Sequence, residues 1–476
     1  MTHALPIDTK GQKRTVQSVT PSGLNSSKTT SVGGMETVMN LDTSTLPDLV
    51  GHGRFQSMQL SDSGIVLQLY YFTVKNSLYL VGFDGNYVVL YGVTDAGYQK
   101  LHAFSDTVTQ EQLQTEKISA VYCHSQYGEV NSRCIVIYPF GYCIKINRYD
   151  GIDSFEKLEG NVSELHLRHA VLHKNRIFAT DGHRIYASRP GSLTDFTSHD
   201  EDDESASWSA VISDDVNAAL PVTGFIRYRG KLYYFCQNSF GQIRGETNPF
   251  RTEALWEVGA VDIESVKVLG DQLYFLSEKG LIVFDGQTVN SVSEPLGIGS
   301  FAAGVGGVWK GQYYLGLPGD TLGKIYTYCP QNKSWGSILC YGNAVQFCTT
   351  NDRFYQVSDF SGQVNLYKWT DQRNGWTATT NPITVNQLEE KHLLGVRMEM
   401  LLQNGARVNC DLTVTRRDGS TQTYPLFQDI TGKTRMIVSK RLRDIYGIAF
   451  SFSFRATLGA AVSKWELVWE ENEVTV

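Results

Sequence analysis

Between residues 265 and 293 the chain alternates short apolar bursts with polar turns. Residues 265–269, 272–277, 281–284 and 288–293 each read as a strand, separated by Gly270-Asp271, Glu278-Lys279-Gly280 and Asp285-Gly286. The bursts are β-branched or aromatic and too short for helices. Glycine beside Asp or Lys supplies the positive φ of a tight hairpin turn. A lone four-stranded meander cannot bury its apolar face, so the pattern requires copies of itself.

Copies of the second strand and its turn recur along the chain. They are Lys75-Asn76 before Leu78-Tyr79-Leu80, Asn131-Ser132 before Cys134-Ile135-Val136, and Lys174-Asn175 before Ile177-Phe178-Ala179. Arg229-Gly230 before Leu232-Tyr233-Tyr234-Phe235, Lys310-Gly311 before Tyr313-Tyr314-Leu315, and Asn351-Asp352 before Phe354-Tyr355 follow. With the 265–293 unit this makes about seven copies at roughly 40 to 55 residues, the period of a propeller blade. The competing arrangement is a two-sheet sandwich with chance hairpins, which lacks a fixed four-strand grouping. The expected blades span 65–104, 117–157, 164–213, 220–258, 262–295, 301–340 and 342–370.

After Gly375 the pattern changes to longer strands with strict alternation, as in Phe450, Phe452 and Phe454 against Ser451 and Ser453. Strands are predicted at 394–402, 408–416, 421–426, 435–439, 448–455 and 462–470. The fold class is therefore all-β: a β-propeller over 51–375 followed by a C-terminal antiparallel β-sandwich over 376–476. Residues 1–50 read as an extended N-terminal arm, polar and rich in Ser, Thr and Gly to about residue 34. Such an arm is ordered only where it lies on its own propeller or on a neighbouring subunit. Met35, Val38, Met39 and Leu41 are the candidate anchors to a neighbour; simple packing under the first blade is the alternative. If the arm laces subunits, deleting residues 1–34 weakens assembly and leaves monomer folding intact.

Composition narrows the class further. A net charge of −7 lacks the basic face that general nucleic-acid binding requires. The 8 cysteines include no C-x-x-C pair, and several sit in apolar strands, so they read as reduced core residues of a protein folded in a reducing cytoplasm. No apolar run approaches a membrane span, and the first residues have no signal-peptide core, so the chain is expected to be soluble when made.

Catalytic patterns are missing. There is no G-x-S-x-G elbow, phosphate-binding Gly-rich loop or H-E-x-x-H. His166, His169, His183 and His199 lack metal-ligand spacing. Ser358-Asp359-Phe360-Ser361-Gly362 is a solitary, misspaced approach to the Asp-box turn of sialidases. No enzyme activity, cofactor or metal is expected. The densest charge block is Asp200, Glu201, Asp202, Asp203 and Glu204, in the long loop of the third blade. It reads as a solvated loop or as an electronegative patch facing a channel, along which a duplex slides rather than sticks. A calcium loop would need alternating ligands and a turn glycine, which are lacking.

Several phrases carry a family likeness: Asn175-Arg176-Ile177-Phe178 running to His183-Arg184-Ile185-Tyr186-Ala187-Ser188-Arg189-Pro190-Gly191 and on to Phe196, Pro221-Val222-Thr223-Gly224-Phe225 leading to Phe240-Gly241-Gln242-Ile243, and Phe284-Asp285-Gly286 leading to Glu294-Pro295-Leu296. With Gly33-Gly34-Met35, Met39-Asn40 and Leu46-Pro47 near the start, the chain resembles the packaged-DNA stabilisation proteins, the tail hub or nozzle propellers of tailed phages. The likeness covers most of 33–370. It implies a non-enzymatic virion protein, assembled in the host cytoplasm as a ring, often of six copies. That ring would lie below the portal and adaptor, contact other tail proteins, and line or close the DNA exit channel without specific DNA binding or membrane contact. The alternative role is a host-surface binding module that recognises a glycan or receptor.

Overall fold

The second strands of the repeats are apolar on both faces, and this dictates how the sheets pack. Within Lys231–Cys236 and Gln272–Ser277 every residue after the first is buried. Successive side chains leave a strand on opposite sides. Tyr233 and Phe235 therefore join Leu273, Phe275 and Phe284 of the following repeat, while Leu232, Tyr234 and Cys236 join Phe178 and Ile185 of the preceding one. A strand with two apolar faces must lie between two neighbours, which radial packing of sheets provides.

The computed structural model describes residues 14–25, 34–58, 65–72, 77–84, 86–94, 97–107, 118–124, 133–138, 142–146, 152–157, 165–212, 221–319, 323–340, 342–360, 363–384 and 389–470. The turns at Lys75-Asn76 and Asn131-Ser132 and arm residues 1–13 and 26–33 lie outside them. Seven four-stranded antiparallel sheets form a β-propeller: 65–107, 119–157, 168–211, 222–256, 267–291, 305–339, and 343–370 completed by residues 54–57. The first strands of successive blades approach one another, so they surround the axis and the fourth strands form the rim.

Three first hairpins share one device. Lys174-Asn175, Arg229-Gly230 and Lys310-Gly311 hold both turn residues at positive φ, the geometry of a type I′ turn. The cation at the first position then reaches the next blade: Lys174 to Glu246 at 2.7 Å, Arg229 to Asp271 at 3.6 Å and Lys310 to Asp371 at 2.5 Å. These pairs are exposed enough that each is worth about 0–1 kcal/mol, so the stability of the seams comes from the apolar faces. Phe235 is fully buried, its ring 5.2 Å from Phe240 and 5.1 Å from Phe275. Phe235→Ala is expected to cost about 3–5 kcal/mol, read as a lower denaturation midpoint at unchanged slope.

Ring closure uses an early strand. Four N-terminal strands are β1 (Arg14–Val19), β2 (Met35–Met39), β3 (Leu49–Val50) and β4 (Arg54–Ser57). β4 is the outermost strand of the seventh blade, pairing Phe55 with Trp369 and Arg54 with Thr370. On the axis side, the backbone N–H of Leu69 in the first blade donates to Oε1 of Gln346 in the seventh at 2.7 Å.

The C-terminal strands form two packed antiparallel sheets. One is β1, Ala460–Glu470, Lys391–Leu402 and Arg435–Arg441 in that order, with β3 also on Ala460–Glu470 and Tyr446–Gly447 on Lys391–Leu402. The other is β2, Trp376–Thr380, Ala449–Ala456, Arg407–Thr415 and Thr421–Thr431, with Ile383–Thr384 on Ala449–Ala456. All six strands predicted here from alternation are present, but they are not the whole sandwich. Three N-terminal strands complete it, so the described part of residues 1–50 is not an extended arm. The expected division at 50 and 376 is corrected accordingly: the sandwich draws on both ends of the chain, and the propeller lies between.

The segment from Val19 to Thr43 also fastens the sandwich to the sixth blade. Leu24 N–H donates to Trp335 O at 2.7 Å, Ser337 Oγ to Val38 O at 2.5 Å and Leu339 N–H to Asn40 Oδ1 at 2.9 Å. Trp335 is fully buried and its indole N–H donates to Val292 O of the fifth blade at 2.7 Å. A single apolar cluster consequently runs from Tyr274 and Tyr313 in the propeller through Val19, Leu24, Met35 and Val38 into Trp465 and Phe452 of the sandwich.

Candidate interaction surfaces

The acidic loop Asp200–Glu204 lies between Arg184–Ala187 and Trp208–Val211, the third and outermost strands of the third blade. Because first strands surround the axis, this position is on the outer half of the blade. The loop thus stands away from the propeller's own axis, and its expected channel-facing role belongs to a ring of copies.

The loop is nonetheless held firmly. Arg176, buried on the second strand of the same blade, donates Nη1 to Ser188 O at 2.8 Å and Ala206 O at 2.6 Å, and Nη2 to Glu204 O at 2.5 Å. Its guanidinium also lies 5.4 Å from the Phe250 ring centroid. Burial lowers its pKa, and the nearby Asp203 carboxylate opposes that shift. From the fourth blade, Asn248 Nδ2 donates to Asp200 O at 2.6 Å and Asp203 O at 3.0 Å. Asp203 in turn accepts from Ser205 Oγ at 2.6 Å and Ser205 N–H at 2.7 Å, and these bonds hold its carboxyl below the ordinary range. The backbone carbonyls of Asp200, Asp203 and Glu204 face inward to Asn248 and Arg176.

 Asp203 is the half-buried member, and Asp200, Glu201, Asp202 and Glu204 stand in solvent. The arrangement presents a fixed block of negative charge on the rim at the junction of the third and fourth blades, suited to a basic partner surface.

The proposed neighbour anchors are placed differently as well. Met35 and Leu41 are fully buried and Val38 is 2% exposed, all within the core their own chain builds, while Met39 is half-buried. β2 pairs with Trp376–Thr380, with a register shift between Met35 and Thr37. That shift puts Met35 and Val38 on the same side despite their spacing of three, which in an unbroken strand would put them on opposite faces. Met35, Val38 and Leu41 cannot anchor a neighbouring subunit without leaving the core of their own.

Reasoning from the sequence missed two groups of residues. Arg176 opens an apolar strand just as the exposed Lys231 does, so the pattern alone does not tell the buried cation from the exposed one. His52, buried beside the closing strand β4, has no such pattern around it; its rings neighbours are Tyr314 at 6.0 Å and Trp369 at 5.1 Å. Burial raises the pKa of Cys236, Cys329 and Cys410, and pushes Cys348 up to about 12, which disfavours the thiolate at these four positions. Among the described residues no three His, Cys, Asp or Glu side chains gather as a metal site, and no helix is long and apolar enough to cross a membrane.

No protein-family model and no curated protein matches the chain. Among solved structures, it is similar to a catalytically inactive virginiamycin B lyase from Staphylococcus aureus in complex with quinupristin, at 10% identity and a TM-score of 0.44, over 67% of this chain and 99% of the lyase. YCF48 from Cyanidioschyzon merolae is similar at 11% identity and a TM-score of 0.43, over 66% of this chain and 98% of YCF48. The AfRom2 CNH domain is similar at 10% identity and a TM-score of 0.39, over 68% of this chain and 99% of that domain. Likenesses this distant carry no argument about activity, ligand or partner.

Proposed function

We propose that this chain is a structural building block without catalytic activity: a virion protein of a tailed phage that assembles as a ring below the portal and adaptor and lines or closes the DNA exit channel. The observation that carries the reading is mechanical. The propeller is closed by its own β4 and joined to the sandwich by one continuous apolar cluster, so load applied to either part is shared by both. The blade phrases that resemble tail hub and nozzle propellers supply the context. In this reading the chain passes DNA without specific contacts, and copies meet through outer surfaces such as the rim of the third and fourth blades, since β1 and β2 are committed to their own sandwich.

The second reading is a host-surface binding module, favoured by the rigidly held acidic loop on the rim. Native mass spectrometry of the purified chain and electron microscopy of intact particles separate the two. Rings of about six copies coaxial with a portal are expected. A peripheral spike, or a monomer that binds a glycan or a receptor, overturns the ring in favour of the binding module.

A further inference from the structure

We propose that His52 is a pH-sensitive latch on the strand that closes the propeller: protonation of its imidazole releases β4 from the seventh blade. The inference rests on the fold alone and is independent of the role proposed above.

His52 stands two residues before β4 and is 3% exposed. Its backbone is pinned on both sides: its N–H donates to Asn40 O at 2.7 Å, and its carbonyl accepts from Asn374 N–H at 3.0 Å. The ring is wedged against Tyr314 of the sixth blade and Trp369 of the seventh. Neither ring nitrogen makes a well-aligned hydrogen bond, but the Gln312 side chain and the Gly53 backbone lie near enough to favour the imidazolium. Gln312 Nε2 is committed to Asp42 Oδ1 at 3.1 Å. A neutral imidazole tolerates this apolar wedge; an imidazolium there would be a buried cation whose desolvation Gln312, Gly53 and Asp42 only partly offset.

The charged groups around the ring come from three elements. Asp42, on the N-terminal segment, favours the imidazolium, and Arg373, after the third strand of the seventh blade, opposes it. Asp371, on the same segment as Arg373, also feels the His52 charge but is tied to Lys310 of the sixth blade. Tyr314 stays neutral, since burial raises its pKa well above the usual phenol value. Burial is the largest influence on His52 and holds its pKa below the ordinary value of 6.5.

The sign follows. With β4 released, His52 meets water and titrates near its ordinary value, so below about pH 6.5 the released state binds more protons than the closed one. The release constant therefore rises as pH falls from there until the held imidazole itself titrates, by at most about tenfold per pH unit for a single proton. His102 and His173 are also depressed, mainly by burial, so global stability falls with acid in any case, and the test must be local.

Hydrogen exchange of the full chain at pH 7.5 and 5.5, with rates divided by their intrinsic values, provides that test. The amides of Arg54–Ser57 are expected to open up to about tenfold more at pH 5.5, while those of Lys231–Cys236 change less. His52→Gln should abolish the excess in β4. Arg373→Gln, at an exposed position that leaves the core intact, removes a charge that opposes the held imidazolium, so with the series carried to lower pH the excess in β4 should level off at a higher pH and a smaller value; this variant decides the matter if His52→Gln does not fold. Equal pH dependence in β4 and in the fourth blade, or a plateau that Arg373→Gln leaves unchanged, overturns the latch.

Discussion

Removal of residues 1–34 is expected to destabilise the monomer itself, by several kcal/mol, rather than only its assembly. The deletion takes away β1, which pairs along its whole length with Ala460–Glu470, from Arg14 opposite Glu470 to Val19 opposite Trp465. It also takes away Val19 and Leu24, both buried in the cluster that links sandwich and propeller. Burying one such side chain is worth about 1.5–3 kcal/mol, an upper estimate because unfolded chains already bury part of that surface. A stripped Ala460–Glu470 would present an unpaired edge, which invites pairing with other chains. Thermal melting and light scattering check this: a lower midpoint with concentration-dependent aggregation is expected. A truncated chain that melts like the full one, but no longer assembles, would restore the lacing role to the N-terminus.

The second large effect is expected at Arg176. Replacing it with Met keeps much of the stem and removes the guanidinium, leaving the carbonyls of Ser188, Ala206 and Glu204 without this donor. Each buried carbonyl left without a partner costs about 1–3 kcal/mol, so a loss of several kcal/mol is expected. Arg176→Lys is expected to recover little, because a single ammonium cannot reproduce the planar fork that spans three acceptors. Denaturant titration gives the stability change. Proteolysis gives its location, with cleavage confined at first to 189–207. If the Met variant matches the parent in both, the clamp is not what holds the loop.

The middle strands of the blades were legible because packing between two neighbours demands apolar residues on both faces, and runs such as Leu273-Tyr274-Phe275-Leu276 declare it. The sandwich strands were legible for the opposite reason: one face is wet, so Phe450, Phe452 and Phe454 alternate with serines. β1 and β4 were not legible. Arg-Thr-Val-Gln-Ser-Val and Arg-Phe-Gln-Ser are edge strands whose outer positions are polar, and an edge strand is specified by the partner it finds rather than by its own pattern. The acidic loop was legible as charge and as a third-blade connection. Its distance from the axis required the strand order, and its rigidity required Arg176 and Asn248, which lie 24 or more positions away in the chain.

The interleaving of β1 to β4 with the far end of the chain sets an order for biosynthesis. β4 leaves the ribosome long before its partner Gln363–Thr370, and β1 must wait for Ala460–Glu470. Neither body can be finished early in translation: the ring waits for residue 370 and the sandwich for residue 470. Until then the nascent chain displays open sheet edges, the condition under which a molecular chaperone is most useful.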